Sequence, residues 1–246
     1  MSTQESPTVV LVHGAFADSS SWNGVIERLR DQGLSVTAPP NPLRGIEHDS
    51  AYIASAFAQI PSPIVAVGHS YGGAVISNAA TKADNVLGLV FVAAFATDEG
   101  ETLGDATATS KDAILNSALV PRQYPTGNGG TATEFYIDPG KAREAFASDV
   151  PEKQAELIAA TQRPVAELAF SEPSGPPAWK EKPSWAVVAL QDKAAGTDLV
   201  RSMAERAGAV ISEVDGSHVI MVSQPDLVTN VIMEAVATVG EPAAVS

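Results

Sequence analysis

The chain has 246 residues, 45% of them hydrophobic and 18% charged, which suits one sizeable core carrying an insertion. Its formal net charge of −14 repels phosphate backbones and anionic lipid, so nucleic acid and membrane surfaces are not expected partners. The absence of cysteine removes disulfides, thiolate nucleophiles and Cys-based metal sites together.

The start, Met1 to Pro7, is polar and lacks the apolar run of a signal peptide. No apolar stretch approaches the ~20 residues of a membrane span, and a soluble cytoplasmic protein is expected. Residues 8–12 are a β-branched run ending at His13-Gly14 and predict a buried strand. A helix follows over 22–32, with Val25, Ile26 and Leu29 as its apolar stripe and Gly33 as its stop. Residues 34–38 predict a strand closed by Pro39-Pro40. Asp49 can cap a helix running to 59. Next come a strand over 64–67, the turn Gly68 to Gly72, a small-residue helix over 73–82 and a strand over 86–92.

Apolar strands alternating with amphipathic helices imply a parallel sheet with helices on both faces and right-handed crossovers. The alternation breaks near Asp98. Residues 98–180 show no strand series but helical pieces at 110–119, 139–148, 151–160 and 164–170, punctuated by Pro and Gly. It resumes with a strand over 184–190, a helix over 198–207, a strand over 209–214 and a helix over 226–239 headed by Pro225, with a loose tail from Gly240. The expected organisation is a discontinuous core, 1–97 and 181–246, with a helical cap inserted at 98–180.

Serine is a poor nucleophile at neutral pH and needs a base, a group to orient that base, and donors aimed at the developing oxyanion. Gly68-His69-Ser70-Tyr71-Gly72 fits G-x-S-x-G, the strand-to-helix elbow, and makes Ser70 the candidate nucleophile. The pattern alone is weak, since composition yields roughly 0.1 chance matches in a chain of this size. The apolar strand before it and the helix after it carry the argument. The backbone N–H of Tyr71, at the helix start, is one candidate oxyanion donor. The second should come from the loop after the first strand, with Ala15 preferred and Phe16 next.

Of four histidines, His13 lies in the oxyanion loop, His48 in a polar loop, and His69 abuts the nucleophile but points the wrong way. His218 follows the last strand and fits the order Ser, acid, His. The acid should then follow a strand between Ser70 and His218. Asp192, after the 184–190 strand, is preferred, and Asp98 is the alternative. Asp198 reads as helix-terminal stabilisation and Asp215 as a turn residue. There is no nucleotide cradle and no clustered metal-ligand pattern, so neither cofactor nor metal is expected.

These residues carry a resemblance. Val12-His13-Gly14-Ala15-Phe16, residues 64–73 and Gly216-Ser217-His218 resemble the α/β-hydrolase superfamily. Residues 160–167 and 203–209 narrow the likeness to a bacterial esterase-like branch related to plant methyl-ester esterases and hydroxynitrile lyases. The resemblance implies a Ser70–His218–Asp192 triad, a helical cap, no cofactor and about six mostly parallel strands. Members often carry a hydrophobic residue and Pro after the acid; here the segment reads Asp192-Lys193-Ala194-Ala195-Gly196, so a looser acid loop is expected.

The reading is a carboxylic-ester hydrolase for small to medium uncharged or apolar esters. A hydroxynitrile-type lyase is the alternative, but those enzymes carry Lys after the catalytic His and Thr where Gly14 stands, against Val219 and Gly14 here. A ligand-binding receptor with a vestigial triad is the third.

Overall fold

The computed structural model describes residues 6–240; most of the polar start and the tail after Gly240 lie outside them. Six strands form one sheet: β1 (Thr8–Val12), β2 (Val36–Thr37), β3 (Ile64–His69), β4 (Val86–Val92), β8 (Ser184–Ala189) and β9 (Val210–Val214), numbered in chain order. The spatial order is β2-β1-β3-β4-β8-β9, and every neighbouring pair is parallel.

A parallel sheet is covered on both faces, which is why the inner strands β1, β3, β4 and β8 are almost wholly buried, while the edge strands β2 and β9 are mixed and partly exposed. Side chains alternate between the faces. Val10, Val12, Ala66, Phe91 and Val188 join one cluster, with Phe57, Val75 and Ile76 of helices α2 (Ile46–Ala58) and α3 (Tyr71–Ala80). Val9, Leu11, Val67, Val92 and Val187 join the other, with Leu29 of α1 (Asn23–Asp31) and Ile232 of the last helix (Pro225–Gly240). Full burial of each Val, Leu, Ile or Phe side chain stabilises by about 1.5–3 kcal/mol, so the two clusters fix the register.

The insertion departs from expectation. It contains the helices α4 (Leu103–Thr109), α5 (Pro139–Ala145), α6 (Glu152–Thr161) and α7 (Leu168–Ser171). It also holds a three-stranded antiparallel sheet of β5 (Leu119–Pro125), β6 (Thr131–Ile137) and β7 (Val165–Ala166), in the order β5-β6-β7. The helix expected at 110–119 is only a 3-10 turn, Leu115–Ala118, and the stretch expected helical at 164–170 opens with β7. Pro121 and Pro125 argue against a strand, but β5 is an edge strand, where a missing N–H costs no ladder bond. The stretch Thr126 to Gly130 is the hairpin turn, closed by Thr126 N donating to Gly130 O at 2.9 Å with Gly129 at φ +83°. Arg44 ties the small sheet to the core: its Nη1 donates to Glu134 on β6 at 2.9 Å and its guanidinium covers the Tyr124 ring.

Among the described residues, no helix is long and apolar enough to cross a membrane.

Candidate active site

The strand order brings the candidate residues together at one edge. β1 neighbours β3, so the loop from His13 to Phe16 lies beside the turn at Ser70. β8 neighbours β9, so Asp192 and His218, each just beyond its strand, also meet. Ligands of open parallel sheets gather beyond the carboxyl ends of the strands.

Ser70 links β3 to α3 with φ +53° and ψ −125°, a conformation costing about 1–3 kcal/mol for a non-glycine residue. Its backbone is held by Ser70 N donating to Val92 O (3.2 Å) and by Gly73 N and Phe95 N donating to its carbonyl (3.0 and 3.2 Å). The glycines around it are required by space. A Cβ at Gly68 would lie 2.5 Å from Gly72 O, and one at Gly72 would lie 2.5 Å from Val12 O. A Cβ at Gly14 would meet the Ser70 Cβ at 2.6 Å and His69 O at 2.8 Å.

His218 Nδ1 donates to Asp192 Oδ2 at 2.8 Å, with both side chains buried. Asp192 Oδ1 accepts from Ala194 N (2.8 Å) and Ala195 N (3.0 Å). Thr197 Oγ1 accepts from Asp192 N at 3.2 Å and donates to Ala189 O at 2.7 Å. The acid loop, expected to be looser without a proline, is instead cross-tied by its own backbone. Asp98, the alternative acid, lies elsewhere: it pairs with Lys180 near the surface, and that ammonium holds its carboxyl below the usual range.

Ser70 and His218 line one small cavity with Ala15 and Tyr71. No hydrogen bond closes between Ser70 Oγ and His218 among the described residues; such bonds commonly tighten only when substrate is bound. No protein acceptor takes the N–H of Ala15, Phe16 or Tyr71 among the described residues, and Tyr71 opens a ten-residue helix whose dipole favours an anion. The rest of the cavity wall is mainly apolar, with Phe95, Leu115, Leu119, Phe146 and Phe170, and also carries Thr107 and Asn116.

Three partners escape sequence reasoning. His69 Nε2 donates to the carbonyl of His218 at 2.9 Å, and the two rings lie 4.7 Å apart. Burial, with the neighbouring His218, keeps its pKa well below the usual value and the ring neutral. Asp49, expected as a helix cap, is fully buried; the cap is Gly45, and Asp49 accepts from Tyr71 Oη at 2.8 Å and twice from Arg44 N. Asp149, in the insertion, accepts from the Ser217 hydroxyl beside the histidine. A buried polar residue at a helical apolar position, such as Asp49, is the one sequence signal available. His13 is structural: Nδ1 donates to Gly14 O, Nε2 accepts from Asn41 N, and burial lowers its pKa to about 4. His48 is exposed, with Nδ1 3.1 Å from Asp49 Oδ1. Among the described residues no cluster of potential metal ligands occurs.

A strained serine at a strand-to-helix elbow, over a six-stranded parallel sheet with a buried His–Asp pair in the loops after the last two strands, defines a hydrolase architecture. The chain belongs to the alpha/beta hydrolase family, whose model matches residues 9–231. Its fold is also that of polyneuridine aldehyde esterase (19% identity, TM-score 0.79, covering 94% of this chain and 99% of that one). It is similar to a pyrethroid hydrolase from Sphingobium faniae JZ-2 (21%, 0.76, 94% and 97%) and to the methylesterase MES16 from Arabidopsis (18%, 0.77, 94% and 99%). No curated protein sequence matches the chain.

Proposed function

We propose that the protein is a serine carboxylic-ester hydrolase using Ser70, His218 and Asp192, with residues 98–180 as the cap over the site. The carrying observation is the buried 2.8 Å bond from His218 Nδ1 to Asp192, in a cavity shared with the strained Ser70. Nδ1–H bound to a carboxylate leaves Nε2 as the free basic nitrogen. Ser70 Oγ attacks the ester carbonyl while His218 Nε2 takes its proton. The carbonyl oxygen becomes an oxyanion facing the N–H groups of Ala15 and Tyr71. His218 returns the proton to the alcohol oxygen as the C–O bond breaks. Water then attacks the acyl-enzyme, gives its proton to His218, and releases the acid as Ser70 recovers its own. Asp192 holds the imidazole orientation and stabilises the imidazolium between the two transfers.

The hydrolase and esterase names of the structural relatives fit this reading. Gly14 and Val219 favour hydrolysis over a lyase, because the chain lacks the Thr and Lys of the lyase pattern and has no room for a Cβ at Gly14, which would lie 2.6 Å from the Ser70 Cβ. Ser70→Ala should abolish hydrolysis of a short-chain aryl ester and labelling by an aryl phosphonate. Turnover retained in that variant would sink the mechanism.

A further inference from the structure

Two cavities meet at one pair of rings. The inner cavity, around Ser70, has a volume of about 20 Å³, room for roughly one water. The outer pocket has about 450 Å³, within the range of small-molecule sites. Phe16 and Phe146 line both. Their rings sit edge to face, 6.2 Å apart at 89°, and Phe146 is 5.1 Å from the His218 ring. Phe16 has φ +61°, a left-handed conformation that costs about 1–2 kcal/mol for a bulky residue. Contacts of its ring with Phe146 and with Phe170, 6.4 Å away, help sustain that conformation.

One side of the outer pocket is apolar, from Leu157 and Ile158 of α6 and from Val219 and Met221 just past the histidine; the other carries uncharged polar groups, among them Ser21, Asn23 and Gln154. Asp18 is its one charged lining residue; burial works to raise that carboxyl, but hydrogen bonds from Ser20 outweigh it and keep it ionised. An anion is therefore disfavoured there.

We propose that the outer pocket is the binding site for the alcohol half of the ester, reached when Phe16 and Phe146 part, and that the preferred substrates join a small acyl group to a bulky, uncharged, apolar alcohol. This rests on the ester-hydrolase reading, because it depends on which way each arm of the tetrahedral intermediate points. The oxyanion faces the Ala15 and Tyr71 amides. The leaving oxygen must face His218, and the chain beyond His218 lines the outer pocket. The acyl arm is left with Leu115, Leu119 and Phe170, which line only the inner cavity.

Two isomeric esters separate the arms at similar intrinsic reactivity: 2-(1-naphthyl)ethyl acetate and ethyl 1-naphthylacetate. The first should be the better substrate by kcat/KM. Leu157 is 58% exposed, so Leu157→Asp should fold normally while placing a carboxylate against the bound arm. It should lower the ratio of kcat/KM for naphthylethyl acetate to that for ethyl acetate by at least about tenfold, chiefly through KM. Fluorescence titration of Ser70→Ala with 2-(1-naphthyl)ethanol should show binding that Leu157→Asp weakens. Preference for ethyl 1-naphthylacetate, or a ratio and a binding constant both indifferent to Leu157→Asp, overturns the proposal. No turnover of any ester, with Leu157-sensitive binding intact, overturns the hydrolase reading and the ester half of the proposal, leaving only a ligand pocket.

Discussion

Asp192→Asn replaces one oxygen by an amide, and the surroundings dictate which. Oδ1 accepts from two backbone N–H groups, Ala194 and Ala195, at 2.8 and 3.0 Å. An NH2 group turned toward them would oppose two donors, leaving buried donors unsatisfied at about 1–3 kcal/mol each. The asparagine oxygen must therefore keep that place, and its NH2 must face His218 Nδ1. A donor there forces Nδ1 to accept and moves the ring proton to Nε2, so the nitrogen facing Ser70 has no lone pair for its proton. The imidazolium formed during attack also loses its buried counter-charge. Together these should lower kcat by about 10³–10⁴, roughly 4–5.5 kcal/mol, with the fold intact. The assay is steady-state hydrolysis of a short-chain aryl ester, with circular dichroism as the folding control and Asp98→Asn as the comparison. A variant within tenfold of wild type, or an equal loss from Asp98→Asn, would refute the assignment of Asp192.

Other expectations follow from burial and contact. His13 and His69 should stay neutral in nuclear magnetic resonance titrations from pH 8 to 5, as Nδ1–H and Nε2–H tautomers respectively. Because their folded pKa values lie below the unfolded ~6.5, they contribute no penalty above that pH and cost stability as the pH falls below it; His13, at about 4, contributes on the order of 3 kcal/mol by pH 4. Denaturant midpoints should fall through that window. Gly14→Ala forces a methyl against Ser70 and should cost about 1–3 kcal/mol of stability together with most ester turnover, read by melting and initial rates. Tyr71→Phe leaves the buried Asp49 carboxylate without its phenol and should destabilise by about 1–3 kcal/mol in chemical denaturation; in the wild type, burial and Asp49 raise the phenol pKa well above the usual value, so spectrophotometric titration should find it protonated while the protein stays folded.

The core strands are legible in the sequence because burial on both faces leaves unbroken runs such as Thr8 to Val12. The candidate site is legible because Ser70 and Asp192 follow such runs closely, while His218 follows the mixed run of β9 and is picked out by its place in the chain order. The β5–β6 hairpin is not, for reasons that lie in its surroundings. Most of β5 is exposed and it contains Pro121 and Pro125, so neither alternation nor composition marks it. β6 turns Glu134 inward, and its charge is met by Arg44, ninety residues earlier. The roles of His69 and Asp49 are hidden for the same reason: each is defined by a partner that the fold supplies, a carbonyl 149 residues away or a phenol on the next helix.

The hydrogen bond from His69 to the carbonyl of His218 joins β3, at the middle of the sheet, to the loop after β9, at its far edge. Ser70 and His218 are thus made far apart in the order of synthesis. A chain still lacking its last strand can form the elbow but not the contact that seats His218. Under the proposed mechanism reactivity arrives last, with the closing of the sheet, and ester turnover would report on the integrity of the whole fold.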